Sequence, residues 1–243
     1  MATNRPTLDV SKLGLYHVVQ PIVDILTERI IGYEMLLRCE KYKNPKELFH
    51  YAKICNKCVE LDLTSIRKAF SFINAHAYLL RDKYIFINVL PTTVTSPLYF
   101  KTLHNLIDKL KVKRDQIVFE ITEDAKESSV QSICTNITRL KKNGFRVAID
   151  DFGKGDSTIQ YVQRLRPHIV KLDRYYSQDL AQSYERKTLI DNMLFLLQGK
   201  TKFIVEGIET DEDLQAAKNL GVRYCQGFYL GKPNRFEHYM SRS

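Results

Sequence analysis

Short β-rich runs alternate with amphipathic stretches along the whole chain, and this alternation constrains the fold more than any other feature. Eight runs have the length and composition of strands: Tyr16–Val23, Arg29–Arg38, Tyr84–Leu90, Gln116–Thr122, Phe145–Asp151, His168–Asp173, Phe203–Gly207 and Tyr224–Leu230. Strands separated by helices of roughly 10 to 15 residues indicate βαβ units and a largely parallel sheet. Eight such strands in 243 residues predict a closed α/β barrel of the TIM (β/α)8 type.

The first two strand-like runs depart from this pattern. Only Asp24–Glu28 separates them, which is too short for a crossover connection. We therefore expect a hairpin, and hence a modified barrel with one antiparallel strand near the N-terminus. The sequence has no linker-like segment, no low-complexity segment and no convincing internal repeat. It predicts one domain over residues 14–243, after an N-terminal extension of residues 1–13.

Helix boundaries between the strands are marked by capping signals. Asn44 followed by Pro45 is typical of a helix start, and Thr210 before three acidic residues is another. Gly144 and Gly221 follow apolar stripes and predict helix ends. The clearest stripe consists of Val130, Ile133, Ile137 and Leu140.

Composition excludes several classes of protein. Hydrophobic residues make up 44% of the chain, including 12 Phe and 14 Tyr, which is ample for a core and excludes intrinsic disorder. No apolar run approaches the ~18 residues of a membrane span, and the N-terminus lacks the apolar region of a secretory signal. Five cysteines, an odd number, argue against a disulfide framework and for a reducing compartment. These features predict a globular, cytoplasmic protein.

Cys55 and Cys58 form a C-x-x-C, but no second Cys/His pair follows at the spacing of a metal site. Helical spacing places Leu48, Ala52, Cys55 and Val59 on one stripe. We therefore interpret both cysteines as small core residues of one amphipathic helix.

The chain carries a formal charge of +9, which admits an anionic partner such as a nucleotide, a nucleic acid or an acidic protein surface. The basic clusters consist of Lys109, Lys111, Lys113 and Arg114, and of Arg139, Lys141 and Lys142. The alternative is that they are solvated helix ends, because cations complement the helix dipole there. No interleaving of aromatic and basic residues supports nucleic-acid binding, so we expect no nucleic-acid partner.

Polar and charged residues interrupt otherwise apolar strands, mostly near their C-terminal ends. They are Glu34, Asn88, Glu120, Asp150, Asp151, Lys171 and Glu206. In a barrel these ends meet at one face, where active sites are built. Convergent carboxylates repel one another, and divalent cations such as Mg²⁺ or Mn²⁺, which prefer oxygen ligands, would neutralise them. The alternative is that the acids pair with Lys171, Arg38 and helix N-termini.

The adjacent pair Asp150 and Asp151 suggests a two-metal centre, with one carboxylate bridging both ions. Paired metals are the recurring device for phosphodiester cleavage, because they stabilise the attacking and the leaving oxygen together. A lysine beside such a site can orient the attacking water. Phosphate chemistry is therefore the first expectation from the residues alone.

These residues belong to an ordered set of motifs that resembles the EAL domain family. The motifs are Gln20-Pro21-Ile22, Glu34-Met35-Leu36-Leu37-Arg38, Asn88, Glu120-Ile121-Thr122-Glu123, Asp150-Asp151-Phe152-Gly153, Lys171-Leu172-Asp173, Glu206-Gly207-Ile208-Glu209-Thr210 and Gln226-Gly227. The resemblance runs from about residue 14 to 237. It implies a modified TIM barrel that hydrolyses cyclic di-GMP to linear pGpG by in-line attack of a metal-activated water.

The resemblance also implies a role for each motif residue. One metal would be held by Glu34, Asn88, Glu120 and Asp150, and a second by Asp150 and Asp151. Lys171 and Glu206 would position the attacking water, so that Lys171, Glu206 and Glu34 are the expected catalytic residues. Substrate would contact Arg38 at a phosphate, with Gln20 and Gln226 near the nucleotide. Glu123 and Glu209 would support the site and the loop after Asp151. Two Mg²⁺ or Mn²⁺ ions are expected, with Ca²⁺ inhibitory.

Three positions depart from the family pattern. Met35 replaces Ala, but strand alternation places it on the face opposite Glu34, so the ligand should survive. Leu90 replaces the Ser of an Asn-x-Ser motif and removes one hydroxyl near Asn88. The loop after Gly153 carries Lys154, Asp156 and Thr158. Asp156 would either add repulsion to the nearby acids and loosen the loop, or cap a helix over Thr158–Leu165, and we favour the cap.

In the family this loop couples the metal site to dimerisation, so a homodimer is one expected assembly. The resemblance covers only the EAL region and no companion sensor or cyclase domain, so we expect that a protein partner could supply the regulatory input. The main functional alternative is an EAL-like module that binds cyclic di-GMP or a protein without turnover. A barrel with other metal-dependent chemistry is the third. The ligand set is complete in the sequence, which favours the enzyme.

Overall fold

The computed structural model of the protein describes residues 7–122, 130–153, 159–197 and 201–240. Eight strands in this part of the chain form a closed barrel in sequence order, β1 to β8. Their bounds are β1 Leu15–Asp24, β2 Arg29–Cys39, β3 Tyr84–Val89, β4 Ile117–Thr122, β5 Arg146–Phe152, β6 Ile169–Leu172, β7 Lys202–Val205 and β8 Tyr224–Cys225. The predicted barrel is confirmed.

Strand β1 is the antiparallel member of the barrel. It pairs antiparallel with both β2 and β8, whereas β2 to β8 follow one another in parallel. The hairpin register brings Gln20 opposite Glu34 and Asp24 opposite Arg29. The short Asp24–Glu28 connection thus acts as predicted, since it cannot hold a crossover helix.

Nine α-helices lie in the described ranges, and most of them cover the outside of the barrel. Their bounds are α1 Pro45–Ile54, α2 Cys58–Ala75, α3 Ala77–Leu80, α4 Pro91–Val94, α5 Pro97–Ile107, α6 Val130–Lys142, α7 Ile159–Leu165, α8 Tyr184–Leu197 and α9 Asp211–Asn219. The Asn44 side chain accepts a hydrogen bond from Lys46 N, and the Thr210 side chain accepts one from Asp213 N. Gly144 and Gly221 have positive φ angles after α6 and α9, so the four predicted helix signals are confirmed.

Strand β8 is much shorter than the predicted run Tyr224–Leu230. The chain turns after Cys225, and the amide of Gly231 donates to the carbonyl of Gly227. Gly227 packs directly on the backbone of Ile208, where an added Cβ would lie 2.0 Å from the Ile208 oxygen. This close approach replaces further strand pairing, and the β-prone residues Phe228–Leu230 do not reveal it.

The predicted single helix across the C-x-x-C is wrong. Helix α1 ends at Ile54, Cys55 caps it, and α2 starts at Cys58. Asn56 between them adopts a left-handed φ of 54°, a conformation that breaks the helix and that Asn tolerates better than most residues. Both cysteines still pack against a hydrophobic cluster, as expected for core residues.

Apolar side chains form two layers around the strands. The larger cluster fills the space between the barrel and its helices, and includes Met35, Phe70 and Phe119. Inside the barrel lies a smaller cluster, called the apolar layer below, which consists of Ile22, Phe86, Val118, Ala148, Ile169 and Ile204. A third cluster joins α1 to residues before β1, where Leu8, Val10 and Leu13 are buried. None of the helices in the described ranges is long and apolar enough to cross a membrane.

Candidate active site

A layer of polar side chains lies two residues further along the strands than the apolar layer. This polar layer consists of Gln20, Glu34, Asn88, Glu120, Asp150, Lys171, Glu206 and Gln226. Strand side chains alternate between faces, so residues two apart share the barrel interior. Phe86 precedes Asn88, Val118 precedes Glu120, and four of the other six members follow the same spacing, reversed on the antiparallel β1. The fold thereby gathers the residues that the sequence placed at successive strand ends.

The Lys171 ammonium lies at the centre of four carboxylates. Its Nζ is 2.7 Å from Glu206 Oε1, 2.8 Å from Glu120 Oε1, and 3.3 Å from both Glu34 Oε2 and Asp150 Oδ1. The Lys171 side chain is completely buried. One cation therefore faces four acids in a largely buried space, and the acids outnumber the cation.

Glu34 accepts hydrogen bonds from two side-chain amides. Asn88 Nδ2 donates to its Oε1 over 2.9 Å, and Gln226 Nε2 donates to its Oε2 over 2.7 Å. Gln20 accepts from the same Gln226 amide at 3.3 Å and donates to the Gly231 carbonyl at 3.0 Å. The two glutamines predicted to lie near the nucleotide are thus buried, where they orient Glu34.

Hydrogen bonds and neighbouring charges favour the charged forms of Glu34 and Lys171. Burial raises the pKa of Glu34, but the Lys171 charge and the Asn88 and Gln226 hydrogen bonds outweigh it, so the pKa is lowered. Burial lowers the pKa of Lys171, but the surrounding carboxylates reverse this and hold it well above its ordinary value. Both groups are therefore charged at neutral pH.

The remaining three acids have raised pKa values because burial disfavours their charge and neighbouring carboxylates repel it. The pKa of Glu120 lies well above its ordinary value, and that of Asp150 is also raised. Burial raises the pKa of Glu206 to about 8, with repulsion from Asp150 and Glu34 adding to the effect of burial. A divalent cation would remove this repulsion.

The oxygen atoms of this cluster fit a divalent metal. Glu34, Glu120 and Asp150 each offer a carboxylate oxygen, and these oxygens lie within 4.8 Å of one another. Glu120 Oε2 is buried without a hydrogen-bond partner in the described part of the protein, which is costly for a carboxylate. Asn88, whose amide nitrogen donates to Glu34, also carries an amide oxygen. Oxygen donors of this kind suit Mg²⁺ or Mn²⁺.

Asp151 occupies an irregular position on β5. Ile149 pairs with Val170 and Phe152 with Leu172, so β5 advances three residues while β6 advances two. Asp151 itself has a left-handed φ of 54°. Regular alternation would place Asp150 and Asp151 on opposite faces, and this bulge interrupts it.

The other sequence positions of interest fall around the polar layer. Met35 is buried among the outer apolar residues, on the face opposite Glu34, as predicted. Arg38, half-buried near the end of β2, donates to the Leu37 carbonyl, and its expected phosphate contact stays a prediction. Glu209 is exposed and makes no hydrogen bond within the described ranges, so its supporting role also stays a prediction. Glu123, Lys154, Asp156 and Thr158 lie outside the described residues.

Asp62 is a buried acid that the sequence reading missed. It lies on α2, and its Oδ2 accepts a hydrogen bond from Leu90 N over 2.9 Å, immediately after the strand that carries Asn88. Burial raises its pKa to about 6. The sequence did carry a signal for it: Asp62 lies four residues before Ile66 and so falls on the buried stripe of α2.

A cavity of about 580 Å³ lies at the opposite end of the barrel from the polar layer. Arg29, Lys83, Lys113 and Arg223 line it together with Asp24, Asp82 and Asp115. Several of these groups pair with one another, for example Arg223 Nε with Asp24 at 2.8 Å. Among the described residues, buried acids converge only at the carboxyl ends of the strands.

Comparisons with known proteins agree with this arrangement. The EAL domain family model matches residues 9–233. Over 236 residues the chain is 28% identical to the probable cyclic di-GMP phosphodiesterase PdeA of Escherichia coli K12, covering 95% of this chain and 32% of that protein. It is 29% identical over 214 residues to the blue light- and temperature-regulated antirepressor BluF of the same organism, covering 87% of this chain and 52% of BluF.

A solved structure of the PaMucR phosphodiesterase in complex with cyclic di-GMP superposes with a TM-score of 0.83. It is 25% identical, and the match covers 93% of this chain and 99% of that one. The chain spans about a third of PdeA and about half of BluF. The family match, the superposition and the polar layer at the strand ends lead to one conclusion. The chain belongs to the EAL domain family.

Proposed function

We propose that this protein is a metal-dependent phosphodiesterase that hydrolyses cyclic di-GMP to linear pGpG. One observation carries the proposal: in an EAL domain chain, Glu34, Glu120 and Asp150 converge around Lys171 with their oxygens in reach of one ion. The names of PdeA and PaMucR support the same substrate. Two Mg²⁺ or Mn²⁺ ions are proposed, with Glu34, Asn88, Glu120 and Asp150 holding one and Asp150 and Asp151 the other.

The metal ions would neutralise the acids and make a bound water more acidic. The protein's own residues then position the reactants. Lys171 and Glu206, which contact each other at 2.7 Å, orient the water. Glu206 is the most exposed of the four acids around Lys171, at 17%, so water reaches it most readily. It can exchange a proton with that water.

Arg38 lies on the same strand face as Glu34, because four residues separate them on β2. Its guanidinium suits a phosphate oxygen of the substrate. As the water oxygen bonds to phosphorus, the bond from phosphorus to one ribose oxygen breaks, and that oxygen takes up a proton. Asn88 and Gln226 contribute by keeping the Glu34 carboxylate fixed in orientation during this step.

The test is incubation of the purified chain with cyclic di-GMP and either Mg²⁺ or Mn²⁺, with products separated by chromatography. We expect pGpG as product, no turnover in excess EDTA, and suppression by Ca²⁺, because Ca²⁺ prefers longer and looser coordination. Glu120→Gln is a matched inactive control, since it keeps the shape of the side chain and removes one ligand charge. Undiminished turnover in EDTA would contradict the metal-dependent mechanism.

A second candidate is a module that binds cyclic di-GMP or a protein partner without turnover. The similarity to BluF, which is named an antirepressor, favours keeping it. The same incubation separates the two candidates. Substrate binding by calorimetry without product in any metal would support the module and reject the enzyme.

A further inference from the structure

A short segment after β6 holds the ends of both neighbouring strands. Residues Asp173–Ser177, called the 173–177 segment below, include a 3-10 helix over Arg174–Tyr176. Asp173 caps this helix, with its Oδ1 accepting from Tyr175 N over 2.8 Å. The segment therefore has a defined conformation two residues beyond Lys171.

The 173–177 segment fixes the two residues that follow Asp151. Asp173 N donates to the Phe152 carbonyl over 3.1 Å, and the Tyr176 hydroxyl donates to the Gly153 carbonyl over 2.6 Å. Gly153 has a φ of 95°, and a Cβ there would lie 2.6 Å from Tyr176 Cε2. The ring of Tyr176 therefore packs on Gly153 while its hydroxyl holds the carbonyl.

These two bonds act on a strained part of β5. Asp151 lies on the bulge with a φ of 54°, a conformation that costs a non-glycine residue roughly 1 kcal/mol or more. Such a conformation persists only when its surroundings specify it. Phe152 is buried, and the next residue, Gly153, is held by a hydrogen bond from the Tyr176 side chain.

The same segment also reaches β7. The buried Ser177 hydroxyl donates to the carbonyl of Glu206. Gly207 has a φ of 76°, and a Cβ there would lie 2.3 Å from Arg174 Cβ. One segment of five residues thus contacts the backbone just after Asp151 and the backbone of Glu206.

We propose that the Tyr176 hydroxyl is a positioning group for the metal site. By holding the Gly153 carbonyl, it keeps Asp151 in the left-handed conformation that the bulge requires, and so keeps its carboxylate available to a divalent cation. The proposal rests on the proposed function only in taking Asp151 to be a metal ligand. It requires no knowledge of the nucleotide.

The chain offers a matched control in the adjacent tyrosine. Tyr175 is 61% exposed, and its ring lies 5.2 Å from the Arg186 guanidinium. Its hydroxyl makes no hydrogen bond among the described residues. Tyr175→Phe and Tyr176→Phe each remove one hydroxyl from the same short helix, but only the second removes the bond to the Gly153 carbonyl.

The experiment is calorimetric titration of the metal-free full chain with Mn²⁺, without nucleotide, together with thermal unfolding of the metal-free protein. We expect Tyr176→Phe to weaken Mn²⁺ binding about three- to tenfold, the range for loss of one neutral hydrogen bond. Tyr175→Phe should bind Mn²⁺ as the wild type does. Tyr175→Phe should unfold within about 2 °C of the wild type, and Tyr176→Phe within about 4 °C, because it loses one hydrogen bond but keeps the ring packing. Asp151→Asn should weaken binding more than either.

Equal Mn²⁺ affinity of Tyr176→Phe and the wild type would overturn the proposal. So would equal affinity of Asp151→Asn and the wild type, because Asp151 would then not be a ligand. A Tyr176→Phe variant that unfolds more than about 4 °C below the wild type would show a general structural role instead, and would also count against the proposal. If the wild type binds Mn²⁺ and Tyr176→Phe weakens it, yet no pGpG forms, the proposed function fails and the positioning role stands.

Discussion

The two layers of side chains inside the barrel lie only two residues apart, yet they differ in what stabilises them. The apolar layer is dry and uncharged, and burial of each large side chain in it contributes about 1.5–3 kcal/mol without any ligand. The polar layer is as deeply buried around Lys171, but it places four carboxylates against one ammonium. Its desolvation cost is only partly offset by ion pairs.

This difference explains how one barrel can fold stably and still offer a site for cations. The apolar layer and the outer clusters stabilise the strands whatever the state of the site. The polar layer retains an unfavourable excess of buried acids over cations, with Glu120 Oε2 left without a hydrogen bond in the described structure. A bound divalent cation would relieve that excess, so affinity for metal follows from the same burial that destabilises the empty site.

The largest effect is expected from Lys171→Met, which removes the cation of the polar layer. Turnover should fall by about a thousandfold or more, because the water loses its orienting group. The metal-free protein should lose about 3–5 kcal/mol of unfolding free energy at pH 8, since uncompensated acids remain buried. The loss should be smaller at pH 6, where the acids can take up protons. Urea unfolding at both pH values measures this.

The control for this experiment is Lys202→Met. Lys202 is also on a barrel strand, but at its amino end, where its Nζ lies near the Tyr224 ring. We expect this variant to keep full turnover and to lose less than about 1 kcal/mol. If both lysine variants lost turnover and unfolding free energy equally, the two ends of the barrel would not differ as we expect.

Phe86→Ala tests the apolar layer directly beneath Asn88. We expect a loss of about 3–5 kcal/mol in unfolding free energy, as for other large core truncations. Metal affinity of the folded variant should change little, because the backbone of Asn88 is still held by the pairing of β3 with β4. Leu98→Ala, at a 55% exposed position, is the neutral control. A large loss of Mn²⁺ affinity in folded Phe86→Ala would show that the layers are not separable.

Asp62→Asn compares a buried acid outside the barrel with those inside it. The pKa of Asp62 is about 6, raised by burial from an ordinary 3.8. Between these values the folded protein keeps a proton that the unfolded chain has released, so this group makes stability fall as pH rises from about 4 to 6. Asn removes that trend and still accepts from Leu90 N. We expect the variant to match the wild type at pH 4 and to exceed it by about 1–3 kcal/mol at pH 7.5.

Urea unfolding at the two pH values tests this, with Mn²⁺ affinity measured alongside. Mn²⁺ affinity should be unchanged in Asp62→Asn and reduced in Asp62→Ala, which loses the Leu90 hydrogen bond. A variant that is less stable than the wild type at pH 7.5 would contradict the assignment of Asp62 as an acid that is costly to ionise.

Most of the fold and the membership of the polar layer are predictable from the sequence. Alternation of strands and amphipathic helices is a local pattern, and the barrel follows from it. The position of Glu34, Asn88 and Glu120 near strand ends is equally local, so their convergence follows once the strands are parallel. The short Asp24–Glu28 connection likewise fixes the direction of β1.

Other features depend on contacts between distant segments and were not predictable. The end of β8 is set by packing of Gly227 on Ile208, and the break at Cys55 by a left-handed Asn56. The roles of Gln20 and Gln226 depend on a hydrogen bond across the barrel to Glu34. Asp62 and Tyr176 form hydrogen bonds with backbone groups of other segments, and residue spacing in the sequence does not predict such bonds.

The central claim is that the polar layer is a divalent metal site, and one measurement tests it most directly. Crystals of the wild-type protein grown with Mn²⁺ would be measured at the manganese absorption edge, with Glu120→Gln crystals as the comparison. We predict an anomalous peak among the oxygens of Glu34, Asn88, Glu120 and Asp150, reduced or absent in Glu120→Gln. A wild-type map without a peak there, at Mn²⁺ concentrations that support turnover, would contradict the account.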